Sequence, residues 1–160
     1  MKKFLYITII LIACSKPEFK ETVFNAKVIK VTDGDTIRVI DDNRKIFKIR
    51  LLGIDAPENT EKRFGYKEFF GDEAKEFLNK LILNKIIKIV TYKNHRGKMF
   101  QDKYKRVLAY IYLGETDINA FLVKSGYAKV YRKMHNFPRL AEFSEYENHA
   151  RNNKLGLWKK

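Results

Sequence analysis

The chain has 160 residues, with 33 lysines and arginines against 19 acidic residues, which gives a formal net charge of +14. A hydrophobic content of 45% excludes a disordered basic tail, and a single cysteine excludes an internal disulfide and a cysteine-rich zinc module. This length favours one domain with one core. The charge excess favours a polyanionic partner, either nucleic acid or an anionic membrane surface.

The first 14 residues predict an export signal. Lys2 and Lys3 precede an apolar run, residues 4–12, that is too short to span a bilayer as a helix. The only cysteine, Cys14, ends this run in a pattern that resembles the bacterial lipobox, where the cysteine is lipidated and the chain is cut before it. The predicted parts are a signal peptide at 1–13, a lipidated cysteine and tether at 14–22, and a domain at 23–160.

A plain signal peptide that contains a cysteine by chance is the alternative. We therefore expect an exported protein of the cell envelope, which is either anchored to a membrane through Cys14 or secreted. Removal of residues 1–13 loses two lysines and no acid, so the remaining chain keeps a net charge of +12. The basic excess therefore belongs to the domain.

Five short strands are predicted from stretches rich in valine, isoleucine and phenylalanine that turn residues interrupt. These strands span residues 24–32, 36–40, 45–52, 86–92 and 106–113. In the third strand, Arg50 alternates with Ile49 and Leu51, so the period of two places Arg50 on the opposite face.

Three helices are predicted at residues 72–84, 117–125 and 138–152, with Pro138 in the first turn of the last. The side chains expected to face the core are Ala74, Phe77, Leu78, Leu81 and Ile82 in the first helix, Ile118, Phe121 and Leu122 in the second, and Leu155 and Trp158 behind the third. Five short strands with an inserted helix favour an α+β, mainly β fold. The leading candidate is a five-stranded oligonucleotide-binding (OB) barrel with three helices.

Two of the predicted turns carry carboxylates. Asp33 and Asp35 flank Gly34 after the first strand, while Asp55 and Glu58 follow the third. Each turn alone is explained as a chain reversal. Adjacent antiparallel strands can nevertheless bring Asp35 and Asp55 together, and carboxylates without histidine or cysteine select a hard cation, calcium or magnesium.

Two arginines accompany these acids, Arg50 in the third strand and Arg106 at the start of the fifth. Either alone would be interpreted as half of a surface ion pair. A divalent cation and two arginines that face carboxylates are the apparatus for phosphoryl transfer. The cations neutralise charge on the phosphorus while a carboxylate orients or deprotonates water.

Three sequence blocks closely resemble the signature blocks of the staphylococcal nuclease family, and two shorter segments are similar to it as well. The blocks are residues 28–36, 50–58 and 102–110, and the segments are residues 119–126 and 155–158. The resemblance implies an OB barrel with three helices and a calcium-dependent phosphodiesterase that acts on DNA and RNA and leaves 3′-phosphate products. A grip on phosphate and sugar implies little base specificity, and a barrel groove favours single-stranded or frayed substrate.

The resemblance also implies roles for individual residues. Asp35 and Asp55 match the carboxylates that bind one calcium ion, and Ala56 matches a position that binds it through its backbone carbonyl. Asp33 matches an acid near the metal. Glu58 matches the carboxylate that positions or deprotonates the attacking water.

Five further positions match residues that contact the substrate. Arg50 and Arg106 match the two arginines that hold the phosphate and stabilise the transition state. Lys103 and Tyr104 match positions that contact the nucleotide phosphate, and Tyr131 matches one member of a tyrosine pair.

The chain departs from the family pattern at two other positions close to these. Lys133 stands where the second tyrosine of the pair is expected. Lys105 replaces the glycine that usually precedes the arginine of the third block, and a positive φ there would cost a lysine about 1 kcal/mol.

Residues 78–113 hold nine basic residues and one acid, Asp102. This stretch is either a solvated basic face or an electrostatic funnel for a polyanion with strong salt dependence. The alternative function is a non-catalytic, nucleic-acid-binding OB-fold lipoprotein. The sequence implies no protein partner, and we expect a monomer.

Overall fold

The computed structural model describes residues 20–61, 65–133, 137 and 139–159. Within these residues the strands are β1 (Lys20–Asp33), β2 (Thr36–Ile40), β3 (Ile46–Leu51), β4 (Ile54–Asp55), β5 (Ile86–Lys93), β6 (Val107–Leu113), β7 (Thr116–Asp117) and β8 (Lys129–Val130). The helices are α1 (Gly71–Ile82), α2 (Ile118–Lys124) and α3 (Leu140–Asn152), and a 3-10 turn, η1 (Gly156–Trp158), follows them.

Five strands close into a barrel in the order β3-β2-β1-β5-β6, and β7 extends the β6 edge. Neighbours in this order are antiparallel, and parallel pairing of β3 with β6 at Arg50 and Leu108 closes the barrel. Closure removes the long exposed strand edges of an open sheet. The prediction of a five-stranded OB barrel with three helices is confirmed.

β1 is long because it pairs with two strands. Its first half pairs with β5 from Lys20 to Lys27, and its second half pairs with β2 from Lys27 to Asp33. The prediction began this strand at residue 24 and assigned residues 20–22 to the tether, whereas they lie in the sheet. These residues are polar, so the hydrophobic pattern misses them; backbone pairing with β5 makes them a strand.

Alternation along the strands separates the core from the outer face. In β3, Ile49 and Leu51 are buried, whereas Arg50 lies on the opposite face and is half-buried. This confirms the orientation predicted from the period of two. In β2 the same alternation buries Ile37 and Val39.

α1 packs on the barrel through Ala74, Leu78 and Ile82, which are fully buried. Phe77 and Leu81 are partly buried against the same core. Two acids in its first turn interact favourably with the positive N-terminal end of the helix. The predicted apolar face of this helix is therefore confirmed.

The predicted inner face of α2 is wrong at one residue. Ile118 and Leu122 are fully buried as predicted, but Phe121 is 37% exposed and its ring lies 5.9 Å from that of Phe77. Asn119 takes the buried position instead, because its side chain bonds three backbone groups of the barrel. Two residues are separated by about 200° around a helix, so an inward Asn119 leaves Phe121 facing outward.

The C-terminal segment buries Leu157, whereas the predicted core residues Leu155 and Trp158 are only half-buried. The guanidinium carbon of Arg151 lies 3.7 Å from the centre of the Trp158 ring. Pro138, predicted in the first turn of α3, lies outside the described residues. Within the described part of the chain, no helix is long and apolar enough to cross a membrane.

Candidate active site

Carboxylates from two turns meet Arg50 at one end of the barrel. Asp35 lies between β1 and β2 and is only 4% exposed, and Asp55 ends β4. The Nη2 atom of Arg50 lies 2.9 Å from Oδ2 of Asp35 and 2.9 Å from Oδ1 of Asp55. Its Nη1 atom donates to the backbone carbonyl of Ile54 at 2.8 Å. The predicted grouping of Asp35, Arg50 and Asp55 is therefore present.

Close backbone packing fixes the position of Asp35. A Cβ atom on Gly34 would lie 2.6 Å from Cβ of Ala56, so the two turns approach this closely only with glycine. The Ala56 N–H donates to Oδ2 of Asp35 at 3.0 Å, and the Thr36 hydroxyl donates to Oδ1 at 2.9 Å. The carboxylate is thus held from both turns.

Glu58 sits on a segment that is tied to the start of α1. Its N–H donates to the Glu68 carboxylate at 2.8 Å, and the Glu68 N–H donates back to the Glu58 carbonyl at 2.9 Å. A Cβ atom on Gly71 would lie 2.5 Å from that carbonyl, so a larger residue would push the segment away. These contacts hold the half-buried Glu58 side chain at the cleft.

Asp33 lies in the same turn as Asp35. Burial and the neighbouring negative charges of Asp35 and Glu58 raise the pKa of Asp33 to about 7, against the lowering effect of the Gly34 N–H. Three acids, Asp33, Asp35 and Glu58, therefore lie near one another where the resemblance implies a cation.

Arg106 is held by the turn at residues 102–105, which no spacing in the sequence marks as part of the site. Asp102 accepts from the N–H groups of Tyr104 and Arg106 at 2.9 and 3.0 Å, and from Nε of Arg106 at 2.6 Å. Burial disfavours the carboxylate, but the hydrogen bonds and the charge of Arg106 outweigh it and lower the pKa of Asp102. Asp102 is a positioning residue that belongs to the site.

The two sides of the site are linked through Thr36. Nη1 of Arg106 donates to the Thr36 hydroxyl oxygen at 3.2 Å, and that hydroxyl donates to Asp35. Lys105, next to Arg106, has a φ of +60°, as expected for a position that is usually glycine. The predicted strain at this lysine is therefore present.

These residues line one cleft of about 660 Å³. Its walls include eight of the predicted site residues: Asp35, Arg50, Asp55, Glu58, Lys103, Tyr104, Arg106 and Tyr131. The guanidinium of Arg106 lies 5.4 Å from the Tyr104 ring centre, and that of Arg50 lies 5.9 Å from the Tyr131 ring centre. Each arginine thus has an aromatic ring beside it.

Lys133 also lines the cleft. It occupies the position where the family pattern has the second tyrosine of the pair. Ala56 is buried behind the cleft, and Cys14 lies outside the described residues.

The oxygen atoms at this site suit a hard cation. Oδ2 of Asp35 and Oδ1 of Asp55 lie close enough together to contact a single Arg50 nitrogen. Carboxylate and carbonyl oxygens are the ligands that calcium prefers, with water and substrate completing its six to eight positions. The described residues contain no group of three or more histidine, cysteine or acidic side chains arranged to hold a metal.

Comparison with known proteins identifies the family. A family model described as staphylococcal nuclease homologue matches residues 48–160. The chain belongs to this family. The match includes Arg50, Asp55, Glu58 and Arg106, while Asp35 lies before its start.

Individual relatives agree with this assignment. An uncharacterized protein of Methanocaldococcus jannaschii is 36% identical, over 84% of this chain and 72% of the relative. An uncharacterized endonuclease of Haemophilus influenzae is 32% identical, over 96% of this chain and 74% of the relative. A thermonuclease of Staphylococcus hyicus is 30% identical, over 82% of this chain and 74% of the relative. The prediction of the staphylococcal nuclease family, and of a nuclease at the family level, is confirmed; the roles of single residues stay predictions.

Proposed function

We propose that this chain is a calcium-dependent nuclease that hydrolyses phosphodiester bonds of DNA and RNA and leaves 3′-phosphate products. The observation that carries the proposal is the contact of Arg50 with both Asp35 and Asp55, in a cleft that also holds Glu58 and Arg106. Three acids and two arginines at one end of an OB barrel are suited to hydrolysis at phosphorus, because they can activate water and stabilise the charge that develops on the phosphate.

The calcium ion would be held by the carboxylates of Asp35 and Asp55 and by the backbone carbonyl of Ala56. When bound, it would supply positive charge that stabilises the charge developing on the phosphate oxygens. Asp33, Asp35 and Glu58 lie near one another at this end of the barrel, and a bound cation would reduce the repulsion between them.

The reaction itself would rest on Glu58 and the two arginines. The Glu58 carboxylate accepts the proton of the attacking water while the water oxygen bonds to phosphorus and the bond from phosphorus to the 5′ oxygen breaks; the 5′ oxygen leaves and takes a proton from solvent. Glu58 is suited to this role because it is half-buried at the cleft and its backbone is hydrogen-bonded to Glu68. Arg50 and Arg106 bind the phosphate and stabilise its transition state with planar, permanently charged groups. The Asp102 turn keeps Arg106 aimed at the cleft.

The cleft favours contacts to the backbone of a nucleic acid over contacts to its bases. Lys103 lines it as a cation beside the Tyr104 ring, at 5.1 Å from the ring centre. Tyr104 and Tyr131 offer faces on which bases of any identity can stack. We therefore propose low base specificity and a preference for single-stranded or frayed substrate.

We further propose that the protein is an exported monomer, anchored by lipid on Cys14. β1 begins at Lys20, so five residues would separate the lipidated cysteine from the sheet. A fully extended tether of that length reaches about 17 Å. The domain would then act close to the membrane surface.

Incubation of the purified chain with plasmid DNA, single-stranded DNA and RNA tests the proposed activity. We expect cleavage with calcium, little or none in chelator, and products that end in a 3′-phosphate. Cleavage that continues in chelator would contradict the metal assignment. Binding without cleavage in calcium or magnesium would instead favour the non-catalytic binding protein.

A further inference from the structure

A row of three cations crosses the outer face of the barrel next to the cleft. Lys30 of β1 lies directly opposite Arg38 of β2, and Arg38 lies directly opposite Lys48 of β3. All three side chains are exposed. We call this set of residues, Lys30, Arg38 and Lys48, the basic row.

The basic row has no anionic counterpart in the described part of the chain. None of its members forms an ion pair there. Like charges that face each other across antiparallel strands destabilise a sheet. An arrangement that costs stability in the isolated protein is relieved when a polyanion lies across it.

The basic row is continuous with the active-site cleft. Thr36 lies two residues before Arg38 in β2, and Arg50 lies two residues after Lys48 in β3. The two members of each pair therefore lie on the same face of the sheet. Two residues of strand span about 6.6 Å. Thr36 contacts Arg106, so the basic row runs beside the line of residues that would hold the reacting phosphate.

The basic row is bounded on its far side. The next row on the same face contains one cation, Lys27, with Ile40 and Ile46. The β2–β3 turn beyond it carries two acids, Asp41 and Asp42, and two bases, Arg44 and Lys45, so its formal charge is zero. The net positive charge on this face is therefore highest next to the cleft. A flat anionic surface would not require this alignment with the cleft, whereas a nucleic-acid strand that leaves the cleft would.

We propose that the basic row binds phosphates of the same nucleic-acid strand whose scissile bond lies in the cleft, where that strand leaves the cleft. This inference rests on the proposed function for the position of the scissile bond. It assigns the outer face of β1, β2 and β3 as an accessory binding surface that makes the enzyme favour long strands over short ones.

The test compares the full chain with the variant Lys30→Gln/Arg38→Gln/Lys48→Gln. Binding to a fluorescent 20-nucleotide single strand is measured by anisotropy in chelator over a series of salt concentrations. Loss of three phosphate contacts makes the slope of log K against log salt shallower by about 2. The matched control, Lys80→Gln/Lys124→Gln/Lys154→Gln, removes three exposed lysines from the helical region, and we expect it to keep the wild-type slope.

A second measurement uses substrate length. We expect the ratio of kcat/KM for the 20-nucleotide strand to that for a dinucleotide to fall about tenfold in the basic-row variant. An unchanged ratio together with an unchanged salt slope would overturn the inference. Loss of binding to vesicles of phosphatidylserine and phosphatidylcholine, with strand binding intact, would also overturn it and assign the face to the membrane.

The anisotropy measurement of strand binding separates this inference from the proposed function. If the wild-type chain binds strands but cleaves nothing, and the basic-row variant has the shallower salt slope, the proposed nuclease reaction would be refuted and the accessory surface supported. A chain that cleaves with calcium while the basic-row variant behaves like the control would support the nuclease and refute the surface.

Discussion

Replacement of Asp102 by asparagine tests how the aim of Arg106 contributes to the reaction. The amide oxygen can still accept from the N–H groups of Tyr104 and Arg106, so the turn is expected to keep its shape. The amide NH₂ group, however, then faces Nε of Arg106, and two donors cannot bond. The variant therefore removes the 2.6 Å charged contact while leaving the backbone contacts.

The size of the effect follows from that contact. A hydrogen bond between charged groups contributes about 1.5–3 kcal/mol. The side chains of Arg106 and Asp102 are 22% and 19% exposed, and solvent screening reduces the value to about 1–2 kcal/mol. Since 1.4 kcal/mol corresponds to a factor of ten, we expect kcat/KM to fall about 5- to 30-fold, mainly through kcat.

The assay is steady-state cleavage of single-stranded DNA with calcium, with thermal unfolding measured in parallel. Glu76→Gln is the matched control, because it breaks a 2.7 Å pair with Lys80 on the exposed face of α1. We expect that control to cleave at the wild-type rate. If Asp102→Asn also cleaves at the wild-type rate while remaining folded, Asp102 does not position Arg106.

Two further predictions concern stability. Lys105→Gly relieves a φ of +60°, whose cost is about 1 kcal/mol, but glycine entropy offsets about half of that cost. We therefore expect a net gain of about 0.5 kcal/mol and a Tm about 1–2 °C higher. Lys154→Gly, at a φ of +52°, is the control and should raise Tm without altering cleavage; a lower Tm for Lys105→Gly would refute the strain. Burial disfavours the charged form of Glu147, but the hydrogen bonds from Arg132 and the Val130 N–H outweigh burial and lower the pKa of Glu147. The contribution of Glu147 to the free energy of unfolding is therefore present above pH 4.5 and is lost as pH falls through the lowered pKa. The urea midpoint of the wild-type chain should therefore fall as the pH is lowered from 7 to 3. Glu147→Gln should lose about 1–3 kcal/mol of unfolding free energy at pH 7, and its urea midpoint should fall less with pH. An equal fall in both proteins would contradict this role of Glu147.

Much of the barrel could be predicted because its strands alternate between a buried and an exposed face. Burial of Ile49 and Leu51 on one face of β3 follows from sequence spacing alone, and so does the opposite orientation of Arg50. Proximity of Asp35 and Asp55 follows from antiparallel connection of their strands. Each of these features depends only on residues that are close in sequence or that lie on consecutive paired strands.

Features that depend on distant partners could not be predicted in this way. β4 and β8 are two residues each and pair at Ile54 with Val130, far apart in sequence, so neither shows a periodic pattern. Phe121 was placed inside because helical spacing ignores the backbone groups that Asn119 must satisfy. The part played by Asp102 depends on the shape of a tight turn, which sequence spacing does not reveal.

Replacement of Glu58 by glutamine tests the central claim most directly. The amide keeps the size of the side chain but cannot accept a proton from water, and general base catalysis contributes about 10²- to 10⁴-fold. We expect cleavage of single-stranded DNA with calcium to fall at least 100-fold while the dissociation constant for the strand stays within twofold. Glu61→Gln, in the same segment and exposed, is the control and should cleave normally. Cleavage by Glu58→Gln at the wild-type rate would contradict the proposed reaction.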